Sequence, residues 1–178
     1  MQGITKGFCE KLVGRVWRAA DYIRAGLIVV ATLIIASASV LAAGLLSQYG
    51  LSMLVPIIVV GSFVGAWYLL GTLRIEYEYS YFNGELDLDV ITAKSRRRRV
   101  ATVNVRDFTE FGSYAQLGKS KQQLKNDYDK RWFMCSSPES PDCFYAVFNH
   151  EHQKVLLVFE PGEEILAEIR SAAPRLFR

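Results

Sequence analysis

No charged residue occurs between Arg24 and Arg74, and both flanks of that silent stretch carry Lys and Arg. One helix needs about 20 apolar residues to cross a hydrocarbon core, so the stretch is about twice that length. Ser47-Gln48-Tyr49-Gly50 interrupts it near the middle. The economical reading is a transmembrane hairpin over residues 25–73, with spans at 25–46 and 51–73. Inside lipid only a helix pairs every backbone N–H and C=O within one segment, and the short link makes the two helices antiparallel neighbours. Neither span contains Asp, Glu, Lys, Arg or His. An ion pathway or proton relay normally requires one, so a lone transporter or channel is not expected. Ala36-Ser37-Ala38 has the small residues of a signal-peptide cleavage site. The long basic region before it and the second span after it argue for retention instead.

Charge placement orients the hairpin. Lys6, Lys11, Arg15, Arg18 and Arg24 precede the first span, Arg74, Lys94 and Arg96 to Arg99 follow the second, and the link is uncharged. The positive-inside bias places both termini in the cytoplasm, in a multi-pass protein of the cytoplasmic membrane. Tyr49, Trp67 and Tyr68 fall near the expected interfaces, and Pro56 falls in the first turns of the second span, where its missing N–H costs little. Gly61-Ser62-Phe63-Val64-Gly65 matches the small-xxx-small pattern that lets helices approach closely. Gly61 and Gly65 are therefore helix-packing candidates, either within the hairpin or against another membrane subunit.

Residues 1–24 read as an amphipathic interfacial helix. On a helical wheel Phe8, Leu12, Val13, Val16, Ala19, Ala20 and Ile23 share one side, and Glu10, Lys11, Arg15, Arg18 and Asp21 the other. Such a helix lies at an acidic membrane surface, or packs on the soluble domain or a partner.

Residues 74–178 remain for a single small domain, as the chain's 178 residues are too few for two ordinary globular domains beside the spans. The 51% hydrophobic content comes largely from the spans, and the net charge of +3 hides basic residues clustered beside the apolar stretch. Cys9, Cys135 and Cys143 are an odd count without disulfide-scaffold density, which fits a reducing compartment. Residues 75–82 and 85–90 alternate strictly around Asn83-Gly84, a two-residue hairpin turn that sets Phe82 against Glu85, Tyr81 against Leu86, Tyr79 against Leu88 and Tyr77 against Val90. One face is then aromatic and apolar, while Glu76, Glu78, Asp87 and Asp89 crowd the other and need water or cations. Arg96-Arg97-Arg98-Arg99 leads into a third strand whose alternation places two arginines beside Asp87 and Asp89 and two at the rim of the apolar face. The run is read as intradomain charge pairing and topology determination, or as acidic-lipid contact. Nucleic acid is not an expected partner, since no interleaved aromatics or recognition helix accompany it. Further short strands are expected at 107–114, 131–135, 143–148 and 154–159. A polar loop or short helix spans 116–130, and Pro161-Gly162-Glu163-Glu164 opens a terminal helix that docks Ile165, Leu166 and Ile169.

About six or seven short strands followed by one helix is the order of a PH-like barrel. The chain resembles uncharacterised small bacterial membrane proteins with two N-terminal transmembrane helices followed by a bacterial PH-like domain. Tyr77-Glu78-Tyr79-Ser80, Asn83-Gly84-Glu85-Leu86-Asp87, Arg96 to Arg99 and Val158-Phe159-Glu160-Pro161-Gly162-Glu163 carry the likeness. It implies a membrane α+β protein: a two-helix transmembrane hairpin followed by a PH-like antiparallel β-barrel or sheet capped by a C-terminal helix, in a bacterial host. It offers no catalytic residues.

Catalytic motifs are absent: there is no GxSxG, no phosphate-binding glycine loop and no GxGxxG. His150, His152, Cys135 and Cys143 lack a recognised zinc spacing. No enzyme activity, cofactor or metal is expected. The function expected is a membrane-anchored interaction or scaffold module at the cytoplasmic face, with membrane lipids and a membrane protein as partners and a homo-oligomer left open. Acidic-lipid sensing and an accessory role in a transporter or envelope enzyme complex are the alternatives. The lipid- or partner-facing candidates are Arg15, Arg18, Arg96, Arg97, Arg98 and Arg99.

Overall fold

The structure is a computed structural model and describes residues 7–177. Lys6 and the rest of residues 1–6, with Arg178, lie outside the described residues. The chain divides into two compact units. Trp17–Arg74 forms one, and the segment up to Val16 joins Ile75 onward to form the other.

The first unit is helical. It holds α1 (Ala19–Leu41), a short α2 (Ala43–Gln48) and α3 (Leu54–Thr72). The Asp21 carboxylate accepts the Arg18 N–H at 3.0 Å and fixes the start of α1. At the far end Gly50 adopts φ +70, Gly50 N–H bonds the Ser47 carbonyl at 3.1 Å, and Leu51 N–H bonds the Leu46 carbonyl at 2.8 Å. This is a Schellman closure, and it explains why the apolar stretch breaks at Tyr49-Gly50. Pro56 sits in the first turn of α3, as its missing donor requires. The 23 residues of α1 and 19 of α3 make two helices long and apolar enough to cross a membrane. Leu27, Ile34, Leu41, Ile57 and Trp67 stand exposed on them.

The second unit contains two four-stranded sheets. The first has order β1-β2-β3-β4 and comprises β1 (Phe8–Gly14), β2 (Ile75–Phe82), β3 (Glu85–Thr92) and β4 (Arg96–Asn104), all antiparallel. The second comprises β5 (Glu110–Ser113), β6 (Lys130–Met134), β7 (Phe144–His150) and β8 (Gln153–Phe159), in the order β5-β7-β8-β6. Between β5 and β6 lies α4 (Lys121–Asp127), and α5 (Gly162–Ala172) follows β8. Asn83 and Gly84 take the positive φ of a type I′ turn, and the β2–β3 register is the one the turn predicts. Tyr79, Leu88, Phe108, Phe159, Ile165 and Ile169 lie in one core. The buried Tyr79 hydroxyl donates to the Met134 carbonyl and ties the two sheets together.

Three expectations are corrected. The amphipathic helix expected over 1–24 is not formed: of its described residues only 19–24 are helical, as the start of α1. Phe8–Gly14 is a strand paired with β2 along its whole length, from Phe8 opposite Phe82 to Gly14 opposite Glu76. An isolated short helix is marginal in water, whereas the edge of β2 presents a full row of backbone partners. The β-rich unit is not wholly antiparallel, because β6 runs parallel to β8. The sheets also remain two separate four-stranded arrays rather than a closed barrel.

The third strand carries a β-bulge. Leu88 pairs with Ala101, but Asp89 pairs with Arg99, so Val100 is an extra residue in β4. In an unbroken strand Arg97, Arg99, Ala101 and Val103 would share one face. The bulge separates them: Ala101 and Val103 point into the core while Arg97 and Arg99 join the acidic outer face. Deleting Val100 makes Arg99 and Ala101 consecutive in an unbroken strand, so both sets keep their faces and the full chain in detergent should lose less than about 2 kcal/mol, read from its unfolding midpoint. Loss of the folded state in that variant would contradict Val100 as the extra residue.

Candidate binding surface

The outer face of the first sheet gathers charge from all four strands. Glu10 comes from β1, Glu78 from β2, Asp87 and Asp89 from β3, and Arg97 and Arg99 from β4. Glu78 and Asp89 are only 4% and 2% exposed although they lie on the solvent side. Two guanidinium groups cover them. The Arg97 terminal nitrogen lies 2.7 Å from the Glu78 carboxylate and 2.6 Å from that of Asp89, and its Nε donates to Asp89 at 2.8 Å. Arg99 reaches Asp87 at 2.9 Å and Asp89 at 3.2 Å. Thr102 donates its hydroxyl to Asp87 at 2.5 Å. Asp89 is thus held by both arginines, which a buried carboxylate requires.

Glu78 differs from its neighbours. Burial pushes its carboxyl above the usual range, the hydrogen-bonded Glu10 carboxyl beside it pushes further, and Arg97 offsets part of the effect. Arg97 is also shifted up, but here the hydrogen bond to Asp89 favours the charged form.

The expected candidates therefore separate. Arg97 and Arg99 are engaged in the sheet. Arg96 and Arg98 stand opposite Thr92 and Val90, exposed, and without an ion pair among the described residues. Arg15 is half-buried just after β1, where its N–H bonds the Ile75 carbonyl at 2.9 Å. Arg18 is exposed at the start of α1. A Cβ built on Gly61 or Gly65 meets nothing within 4 Å, so neither glycine is pressed against a neighbouring helix.

Sequence reasoning missed two features. Phe8 and Phe82 face each other across β1 and β2, 50% and 58% exposed, and Leu12, 55% exposed, lies beyond Glu10 on the same face of β1. With Val16, which follows β1, they are the exposed large apolar side chains described in the strand-rich unit. The alternation of Phe8, Glu10 and Leu12 was the available signal. The second feature is a buried polar cluster just before β7. Glu160 accepts the Ser136 N–H at 3.1 Å and its hydroxyl at 2.6 Å, and the Cys143 thiol points at the same oxygen from 3.6 Å. A hydrogen bond with Cys135 and burial push the Cys143 thiol up, which opposes thiolate chemistry. Among the described residues no group of three or more His, Cys, Asp or Glu is placed to hold a metal.

The family model of the bacterial PH-like domain (DUF6106) matches residues 5–178, and the chain belongs to that family. No curated protein and no solved structure matches it.

Glu78 generates a pH prediction. The fold favours its protonated form, so that contribution is complete below the ordinary carboxyl range and is lost as pH rises through the raised value. Glu78→Gln should gain stability relative to the parent as pH rises from about 4 to about 7 in denaturant melts. A constant difference would contradict the assignment. Arg97→Gln should cost about 1–2 kcal/mol at neutral pH, because Arg99 still partners Asp89 and Arg97 is half exposed.

Proposed function

We propose that this member of the bacterial PH-like family is a membrane-anchored interaction module, with α1 and α3 as transmembrane spans and both termini in the cytoplasm. The observation that carries the reading is topological. The apolar helices are inserted between two directly paired strands, since Gly14 lies opposite Glu76 and Arg15 bonds Ile75. Both chain ends of the hairpin are thus held at one end of one sheet. A domain tethered in this way meets other membrane proteins at a raised effective concentration. The uncharged link between the helices and the basic residues at their outer ends support the orientation.

The partner surface is the apolar corner Phe8, Leu12 and Phe82. Phe8 and Phe82 are cross-strand partners, Leu12 lies further along the same face of β1, which ends the sheet, and the exposed rings suit a protein partner. The activity is binding rather than catalysis. An accessory role beside a transporter or envelope enzyme would use the uncovered Gly61 and Gly65 face of α3.

Proximity labelling from a C-terminal fusion in the native cell should recover membrane proteins, and Phe8→Ser with Phe82→Ser should deplete them. The fusion should stay unreactive to an impermeant reagent on intact cells; labelling there would overturn the orientation. Gly61→Ile should leave the melting curve of the full chain unchanged. Loss of a co-purifying subunit in that variant would favour the accessory role over the Phe8–Phe82 corner.

A further inference from the structure

We propose that Lys94, Arg96 and Arg98 form a contact for the headgroups of anionic phospholipids, in which Arg97 and Arg99 take no part. The proposal rests on the membrane-anchored reading and names a ligand class for its basic face. The division of labour comes from the bulge at Val100. Arg97 and Arg99 spend their donors on Glu78, Asp87 and Asp89. Arg96 and Arg98 point away from those carboxylates and stay exposed, and Lys94 is exposed in the turn between β3 and β4.

Register then places these cations. Thr92 is opposite both Ile75 and Arg96, so Arg96 lies two strands across from the residue that follows Arg74. Two strand spacings are about 10 Å, and Arg98 is about 7 Å further along β4. Long arginine side chains cover much of that gap. If the chain leaves the bilayer near Arg74, all three cations lie within about one or two Debye lengths of its surface. Arg74, the residue before β2, adds a fourth charge to the chain where it leaves the span. A group of this size immediately cytoplasmic of a span is attracted to anionic lipid. The acidic side chains of the sheet do not compete, because Asp87, Asp89 and Glu78 are on the other face and already paired.

The test uses the full chain reconstituted into bilayers of phosphatidylcholine mixed with phosphatidylglycerol. Native mass spectrometry of the released protein reads which lipid is retained. The parent chain should retain phosphatidylglycerol preferentially. Each basic residue near an anionic surface is worth about 1 kcal/mol, so Arg96→Gln with Arg98→Gln should cut that preference roughly fivefold to twenty-five-fold. Arg96→Lys with Arg98→Lys should keep most of it. Lys125→Gln with Arg106→Gln removes the same charge elsewhere on the surface and should leave it unchanged. An equal loss in that control, or no loss in the Arg96/Arg98 glutamine variant, overturns the proposal. So does unchanged lipid retention combined with loss of an acidic protein from the proximity-labelled set. A chain that an alkaline wash strips from the bilayer fails the anchoring itself, whereas one that stays embedded without lipid preference fails the headgroup contact alone.

Discussion

Two carboxylates buried on the solvent side of a sheet would unfold it unless charge of the opposite sign lay directly over them. Glu78 and Asp89 meet that condition because Arg97 and Arg99 cross β3 and close on them at hydrogen-bonding distance. The pairing depends on one residue being left out of the ladder. Were Val100 paired in an unbroken ladder, the same arginines would share a face with Ala101 and Val103, whose place is the core. A bulge thus reconciles two demands on one strand, an apolar half that fills the interior and a basic half that neutralises its neighbours. It also sets apart Arg96 and Arg98, since alternation leaves them no acidic partner within the sheet.

The second organising constraint is the pairing of β1 with β2. These strands are adjacent in the sheet but separated in sequence by the whole helical unit. Closing so long a loop costs little more than closing a short one, because the entropic cost grows only logarithmically with length. The helices also form their own unit and add no disorder to the loop. Both feet of the helical unit are therefore attached to neighbouring positions on one sheet. The chain crosses between units at Val16–Trp17 and at Arg74–Ile75.

Some of this was legible in the residues. Asn83-Gly84 predicted the β2–β3 register pair by pair, and the structure shows that register. Tyr49-Gly50 marked the helix break, and Ile165 and Ile169 marked the buried stripe of α5. The alternation of the arginine run required two of its members to meet Asp87 and Asp89. Which two could not be read, because parity along β4 changes at Val100 and nothing in Arg-Val-Ala-Thr announces it. Phe8–Gly14 misled for a related reason. Its apolar residues satisfy both a helical and an extended pattern over so short a window, and the choice fell to a partner strand more than sixty residues away.

What the residues alone could specify was local: an uncharged stretch of twice the spanning length, a tight turn, a capped terminal helix and a surplus of cations at the flanks. Those properties arise from interactions within a few positions along the chain. The folded arrangement settled the rest: β1 as a strand, β6 parallel to β8, Glu78 and Asp89 hidden beneath arginines, and Arg96 and Arg98 exposed, without an ion pair among the described residues. Each of these is a contact between distant segments, and its energy exists only once both partners are in place.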